Sequence, residues 1–368
     1  MKGNCKQLVF SCLVATLLSI LSSGCTDKDY SLSDIDTTVG LCADSIVLPG
    51  NNSTEQIYLD EFIDLSKANF IHIDPETFDY MLQAKSANNS ITFKNVPKFL
   101  QNNSGQICLY DPHVTLTLYS PKEGQEISGD FTAYDEANHA QVKISLPVVT
   151  LHKGNNIICV RGKDYQAGGD TITVIVPNLT ELVRNIPHSI RFNSDLPSDA
   201  EYSIYTPLAF DEDARIVYND SVVGWNKVMK NLRFLDKRID GIEADNYIRL
   251  TTVVENMLPT YLTVSACGLD VNGDSISTSK LKITANKVIK ASPDGVNAAE
   301  TEISLTARSY EDDILSKVDG VRFHFIAATR DCNGKNPVAG VTINSRYQTV
   351  TAHNIRIVVH GKMVGDFN

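Results

Sequence analysis

Asp270-Val271-Asn272-Gly273-Asp274-Ser275 sets three side-chain oxygens at alternate positions, the spacing with which a loop begins to wrap calcium. The sixth position is Ser275 where such a loop needs glycine, and the twelfth is Leu281 where it needs a bidentate carboxylate. An Asn272-Gly273 hairpin turn accounts for the segment without a metal. Two acidic runs, Asp211-Glu212-Asp213 and Glu311-Asp312-Asp313, carry the residue type used in glycoside hydrolysis. That chemistry needs two carboxyl groups facing each other across a bond in unequal environments, and adjacent acids read more simply as a turn or a helix start. His324 lies between Phe323 and Phe325, so a strand would turn it away from both. The eight histidines are scattered without an i, i+4 pair, and there is no GxSxG, HExxH, P-loop or GxGxxG after a strand. The expectation is no catalytic residue, no metal and no cofactor.

The residues with the clearest chemistry lie at the start. Lys2 and Lys6 precede an apolar run from Leu8 to Leu21, too short to cross a hydrocarbon core of about 30 Å. This is the form of a secretory leader, followed by the small residues Ser22-Ser23-Gly24 and then Cys25. Beyond it, Thr26-Asp27-Lys28-Asp29-Tyr30-Ser31-Leu32-Ser33-Asp34-Ile35-Asp36 is acidic and short of apolar groups. It reads as a flexible tether, some 20 residues of which span about 25 Å.

Leu21-Ser22-Ser23-Gly24-Cys25 resembles the lipobox of bacterial lipoproteins, with Ser22 in the place usually held by an apolar residue. The resemblance implies cleavage between Gly24 and Cys25 and a diacylglycerol, with a further acyl chain such as palmitate, on Cys25. Several chains hold a protein firmly where one would not. Asp27, Lys28 and Asp29 resemble the export signal of Bacteroidetes outer-membrane lipoproteins, implying display on the cell exterior. In that lineage Asp-Ser/Thr followed by a small or apolar residue takes O-glycans. The pattern occurs at Asp36-Thr37-Thr38, Asp44-Ser45-Ile46, Asp170-Thr171-Ile172, Asp220-Ser221-Val222 and Asp274-Ser275-Ile276, and Thr37 and Ser45, near the tether, are the sites expected from it.

Of 8 cysteines, Cys5 and Cys12 leave with the leader. Cys42, Cys108, Cys159, Cys267 and Cys332 remain, too widely spaced for a disulfide framework or a zinc site. Cys108 and Cys159, flanked by apolar residues, read as buried free thiols on strands.

The elements that would position any site are strands. Val114–Tyr119, Val142–Leu146, Ile157–Val160, Thr171–Val176, Tyr261–Ser265 and Ile355–Val359 alternate or are β-branched. Gly168-Gly169, Asn272-Gly273 and Asn333-Gly334 offer positive φ for tight primed turns, and Pro293-Asp294-Gly295 is a further turn. Three helices are expected: Pro75 to Ala87, with Asp74 as cap; Trp225 to Leu235, with Val228, Leu232 and Leu235 in one stripe; and Ser309 to Val318. A boundary is expected near 177–190. The division is then leader 1–24, tether 25–49 and two tandem antiparallel β-sandwiches, 50–180 and 181–368, a mostly β fold.

The chain has 368 residues and a net charge of −11, which argues against nucleic acid as a partner. A single tryptophan, Trp225, leaves little for a stacking platform for sugars, and Tyr202, Tyr205 and Tyr218 read as strand residues. The expected partners are outer-membrane lipid through the acyl anchor and a protein or glycan at the surface. The first reading of function is a non-catalytic interaction or adhesion module, resembling fimbrillin-like proteins. The alternative is a glycan-binding accessory lipoprotein of an outer-membrane uptake system, and a hydrolase comes last.

Overall fold

A computed structural model describes residues 45–48, 55–58, 67–86, 89–96, 106–163, 171–193, 200–224, 226 and 247–360. Among these the protein is mostly β, with nineteen strands numbered here in chain order.

Two sheets face each other in the N-terminal block. One has the order β10 (Thr171–Ile175), β9 (Gly154–Arg161), β6 (His113–Ser120), β12 (Glu201–Pro207), β4 (Tyr80–Lys85), β3 (Ile71–Ile73). The other runs β5 (Ser90–Thr92), β11 (Ser189–Asn193), β7 (Gln125–Tyr134), β8 (Ala140–Leu151). The alternation in β6 buries Val114, Leu116 and Leu118 and turns Thr117 and Tyr119 outward. They meet Ile158, Tyr202 and Ile204 of their own sheet and Phe131, Ile144 and Phe192 of the facing one in a single core. Each such fully buried side chain contributes roughly 1.5–3 kcal/mol of transfer free energy. The Tyr202 hydroxyl stays in that core because it donates to the carbonyls of Asn89 (2.6 Å) and Ile190 (3.0 Å).

The described strands of the C-terminal block form one nine-stranded sheet. Its order is β1 (Ser45–Leu48), β19 (Thr349–His360), β14 (Tyr247–Asn256), β17 (Ala299–Ser309), β16 (Leu281–Ala285), β15 (Tyr261–Leu269), β18 (Gly320–Ala328), β13 (Arg215–Val223), with β2 (Glu55–Tyr58) also on β19. One face carries Val254, Val264, Ile303, Phe323 and Phe325, covered in part by Ile289 from the β16–β17 connection. The other face is polar. A bulge in β19, with Asn354 at φ +55°, inserts one residue opposite Thr251–Val253, and Thr252 Oγ1 stitches it by donating to the His353 carbonyl (2.8 Å).

Strand partners change between Pro207 and Arg215: β11 and β12 lie beyond residue 180 yet pair within the first block, and β1 falls inside the stretch read as tether. A linker-like composition at 177–190 marks a short 3-10 turn, Leu179–Val183, whose Leu179, Leu182 and Val183 are buried. Three further expectations are corrected. Pro75 to Ala87 is not helical: Asp74 caps a turn through Glu76 N (2.8 Å) and Thr77 N (3.0 Å), and the chain then enters β4, because Tyr80 and Leu82 alternate into the core. Ser309 to Val318 is a turn with Asp313 at φ +59° and a 3-10 turn at Leu315–Lys317. Gly168-Gly169 lies outside the described residues, and the strands on either side of it, β9 and β10, pair in parallel, which a tight hairpin cannot join. The Trp225 to Leu235 helix also falls outside the described residues, apart from Asn226.

The turns follow one device. Asp135, Asp270 and Asp331 each open a five-residue turn in which the fourth residue alone is left-handed: Asn138 (+64°), Gly273 (+80°), Gly334 (+70°). The fourth backbone N–H donates to the aspartate carbonyl, and the aspartate carboxylate accepts from the fifth N–H at 2.8–3.0 Å. These are ordinary turns closed by one left-handed residue rather than the primed turns expected.

Gly295 has φ +72°, and a Cβ there would sit 2.3 Å from Gln348 Nε2 and 2.9 Å from Val341. Gly295→Ala is therefore expected to cost about 2–4 kcal/mol in urea denaturation, from left-handed strain and overpacking together. Beside it, Asp294 accepts from the backbone of Asn297 (2.8 Å) and Val296 (2.9 Å), which holds its carboxyl down at about 2. A depressed folded-state value contributes stability above the unfolded value of about 4 that is lost as pH falls towards 2. Asp294→Asn should thus be less stable than wild type at pH 6, with the gap in urea midpoint closing by pH 2.

Candidate functional site

An open cleft of about 780 Å³ lies at the end of the four-stranded sheet. Its walls are the residues after β5, the β7–β8 hairpin and the chain from the 3-10 turn to His188. Local folding sets these walls. His188 N donates to the Tyr134 carbonyl (2.9 Å) and Phe93 N to the His188 carbonyl (3.0 Å), so β7, β11 and β5 end in step. The Arg184 carbonyl accepts from Ile107 N (2.8 Å) and Cys108 N (3.1 Å).

Arg184 is one of the lining residues. Its guanidinium donates to Glu181 (3.1 Å) and to Gln106 Oε1 (3.4 Å), while its buried Nε has no protein partner. The Cys108 thiol beside it is pushed up by burial, against the pull of Arg184. Asp135, also in the lining, accepts from Gln141 Nε2 (2.8 Å) and from His139 N (2.8 Å), and the latter bond holds its carboxyl low. The Arg191 guanidinium lies 4.4 Å from the Tyr134 ring centroid and donates to Asn138 Oδ1 (2.6 Å). Arg184, Glu181 and Asp135 are thus tied to neighbours, and Lys94, Glu136 and His188 also line the cleft. The cleft presents a guanidinium, carboxylates, an amide and a phenol in fixed positions, which suits hydrogen bonding to a hydroxyl-rich ligand.

Reasoning from sequence missed this site because it falls in the stretch read as a linker. The one signal there was the apolar spacing of Leu179, Leu182 and Val183, which holds the turn in place and so aims Arg184. Cys25, Gly24, Asp27, Lys28, Asp29 and Thr37 lie outside the described residues. Ser45 opens β1 opposite His360. Of the other matches to the glycan pattern, Thr171 and Ser221 are within strands, and Ser275 is exposed in a bridge to Leu269, 3.2 Å from Arg322.

The acidic runs are structural. Arg330 donates to Glu212 (2.5 Å) and Asp213 (3.0 Å), and Glu311 pairs with Lys280 (3.0 Å). His324 does turn away from the Phe323–Phe325 stack, with Nδ1 2.6 Å from Asn219 Oδ1. Cys159 is half-buried on β9, but Cys108 sits outside the strands at φ +35°. Both are free, as are Cys267 and Cys332.

No family model and no curated protein matches the chain. Among solved structures it is similar to a "putative secreted protein" from Parabacteroides distasonis, with a TM-score of 0.60 at 14% identity over 86% of this chain and 99% of that one. That likeness shows the fold. Coverage is 39% of this chain and 14% of the other for the enzymatically active domain of bacteriophage CBA120 tailspike protein 4, at 11% identity. It is 96% and 76% for a VP2 protein of infectious bursal disease virus, at 10% identity. Their TM-scores of 0.18 and 0.19 carry no argument.

The Asp270 carboxylate, read above as the first ligand of a calcium-like loop, accepts from the backbone of Asn272 (2.8 Å) and Asp274 (3.0 Å). A chelator is accordingly expected to shift the melting temperature of the purified protein by less than about 5 °C, on the order of 2 kcal/mol for a domain of this size. A larger fall on adding EDTA would reopen the calcium reading of that turn.

Proposed function

We propose that this is a lipid-anchored, non-catalytic binding protein displayed on the outer face of the outer membrane, with the Arg184 cleft as its ligand site. The cleft is the observation that carries the reading. Arg184 is tied to Glu181 and Asp135 to Gln141, so these groups are held as fixed hydrogen-bonding positions, which suits recognition. The leader, Cys25 and the acidic tether support the anchor, and the likeness to a secreted-protein fold is compatible with it. Among interaction partners, the recess favours a short glycan over a protein, because a polar hollow matches hydroxyl groups where a protein interface is broader and flatter. The alternative is adhesion through other surfaces.

Two measurements test this. A glycan-array screen with the mature chain is expected to give micromolar binding that falls at least tenfold in Arg184→Ala, with an unchanged melting temperature showing that the fold survives. Binding insensitive to Arg184→Ala would remove the cleft from the proposal, and an empty array would leave adhesion. In cells, Cys25→Ala should release the protein from the membrane fraction, and persistence there would defeat the anchor.

A further inference from the structure

The polar face of the nine-stranded sheet is divided by charge. At one end the register sets Ser45, His360, Tyr247, Arg308 and Lys282 side by side on five successive strands. Val358, Arg249, Thr306 and Thr284 form the next row on that face, and Arg356, Thr251 and Ser304 the one after. These rows hold four fixed cations and a histidine but no carboxylate, in a chain whose net charge is −11. The Tyr247 ring organises them: Arg249 lies 4.6 Å and Arg308 5.3 Å from its centroid, and the His360 ring stacks on it at 4.7 Å. Lys282 and Arg356 are exposed. Glu311, Asp312 and Asp313 follow just beyond β17, exposed, and Glu311 is paired with Lys280. The acids of this face, Glu255 opposite Glu300 and Glu302 opposite Val253, lie at its other end, nearer the N-terminal sandwich.

We infer that the patch formed by Arg249, Lys282, Arg308 and Arg356 docks on the phosphate-bearing face of the bilayer. The inference rests on the anchor proposed above and follows from charge and chain order. The cationic end is the end at which β1 begins. Lys282 is four strands from Ser45, about 19 Å at 4.8 Å per strand. Twenty positions separate Cys25 from Ser45, and a coil of that length would span about 25 Å. The patch therefore stays within reach of the surface that holds the anchor, and the acids at the far end of the face disfavour the inverted orientation. A cation near an anionic membrane contributes about fivefold in affinity, and the effect fades beyond a screening length of about 8 Å. Docked this way, the cationic end of the sheet faces the membrane and the sandwich is held away from it.

The test uses the mature chain carrying Cys25→Ala, which has neither leader nor lipid, so that it reports on the patch alone. Sedimentation with vesicles of equimolar phosphatidylglycerol and phosphatidylcholine should show binding that is absent with phosphatidylcholine alone and is reversed by salt. The triple variant R249Q/K282Q/R356Q should lose roughly a hundredfold, about fivefold for each charge, while K85Q/K122Q/K335Q, which removes three lysines elsewhere, keeps most of the affinity. Equal losses in the two variants would reduce the effect to net charge and overturn the inference, as would failure to bind anionic vesicles. Binding of alginate but not of vesicles would also overturn it and assign the patch to acidic polysaccharide. A wild-type protein found without lipid on Cys25 would defeat the anchor, an outcome distinct from any of these.

Discussion

The structure depends on a strap, residues 338–348, that carries the chain from the nine-stranded sheet across the N-terminal sandwich and back. A backbone buried between two units must find hydrogen-bond partners or it cannot stay there. Gly340 N donates to the Phe210 carbonyl, Ile343 N to the Leu208 carbonyl and Tyr80 N to the Ile343 carbonyl, each at 2.9 Å. The Ile343 side chain enters the sandwich core, and Asn344 donates to the Thr77 carbonyl (2.8 Å) and Asp79 Oδ1 (2.9 Å). Gly340 is required where it lies, since it has φ +72° and a Cβ would come 3.0 Å from the Tyr110 ring. The strap runs directly into β19, a strand inside the nine-stranded sheet, so whatever holds it also sets where that sheet stands.

The cleft is wired to the same junction. Gln106 and Arg215 exchange backbone hydrogen bonds at 2.8 and 2.6 Å, linking the segment before β6 to the first residue of β13. The Gln106 side chain then accepts from Arg184. The Arg184 guanidinium is thus held by two partners, Glu181 of the adjoining turn and a residue whose backbone is bonded to the other sheet. A side chain fixed in this way loses little conformational entropy if a ligand binds to it.

The polar face of the nine-stranded sheet follows from different physics. Period-two alternation in β14, β17 and β16 sends Ile248, Ala307 and Ile283 to one side and Arg249, Arg308 and Lys282 to the other. Each strand taken alone is an ordinary amphipathic segment. Antiparallel pairing in this order makes three isolated cations neighbours and brings Arg356 beside them through β19.

The sequence by itself determined the strands. Alternation is local, so β6, β8, β9, β15 and β19 were legible from their own residues. Turn positions were legible too, although their hand was not, because a carboxylate closing onto its own backbone selects one left-handed residue where Asn-Gly alone suggested two. Tertiary structure decided the rest. Tyr80 and Leu82 can line a helix or alternate in a strand, and the sandwich core settled the matter by burying them on one face. The site around Arg184, the strap and the cationic rows unite residues separated by tens to hundreds of positions. Only the pairing of strands, which depends on which apolar faces can be buried together, brings them into contact.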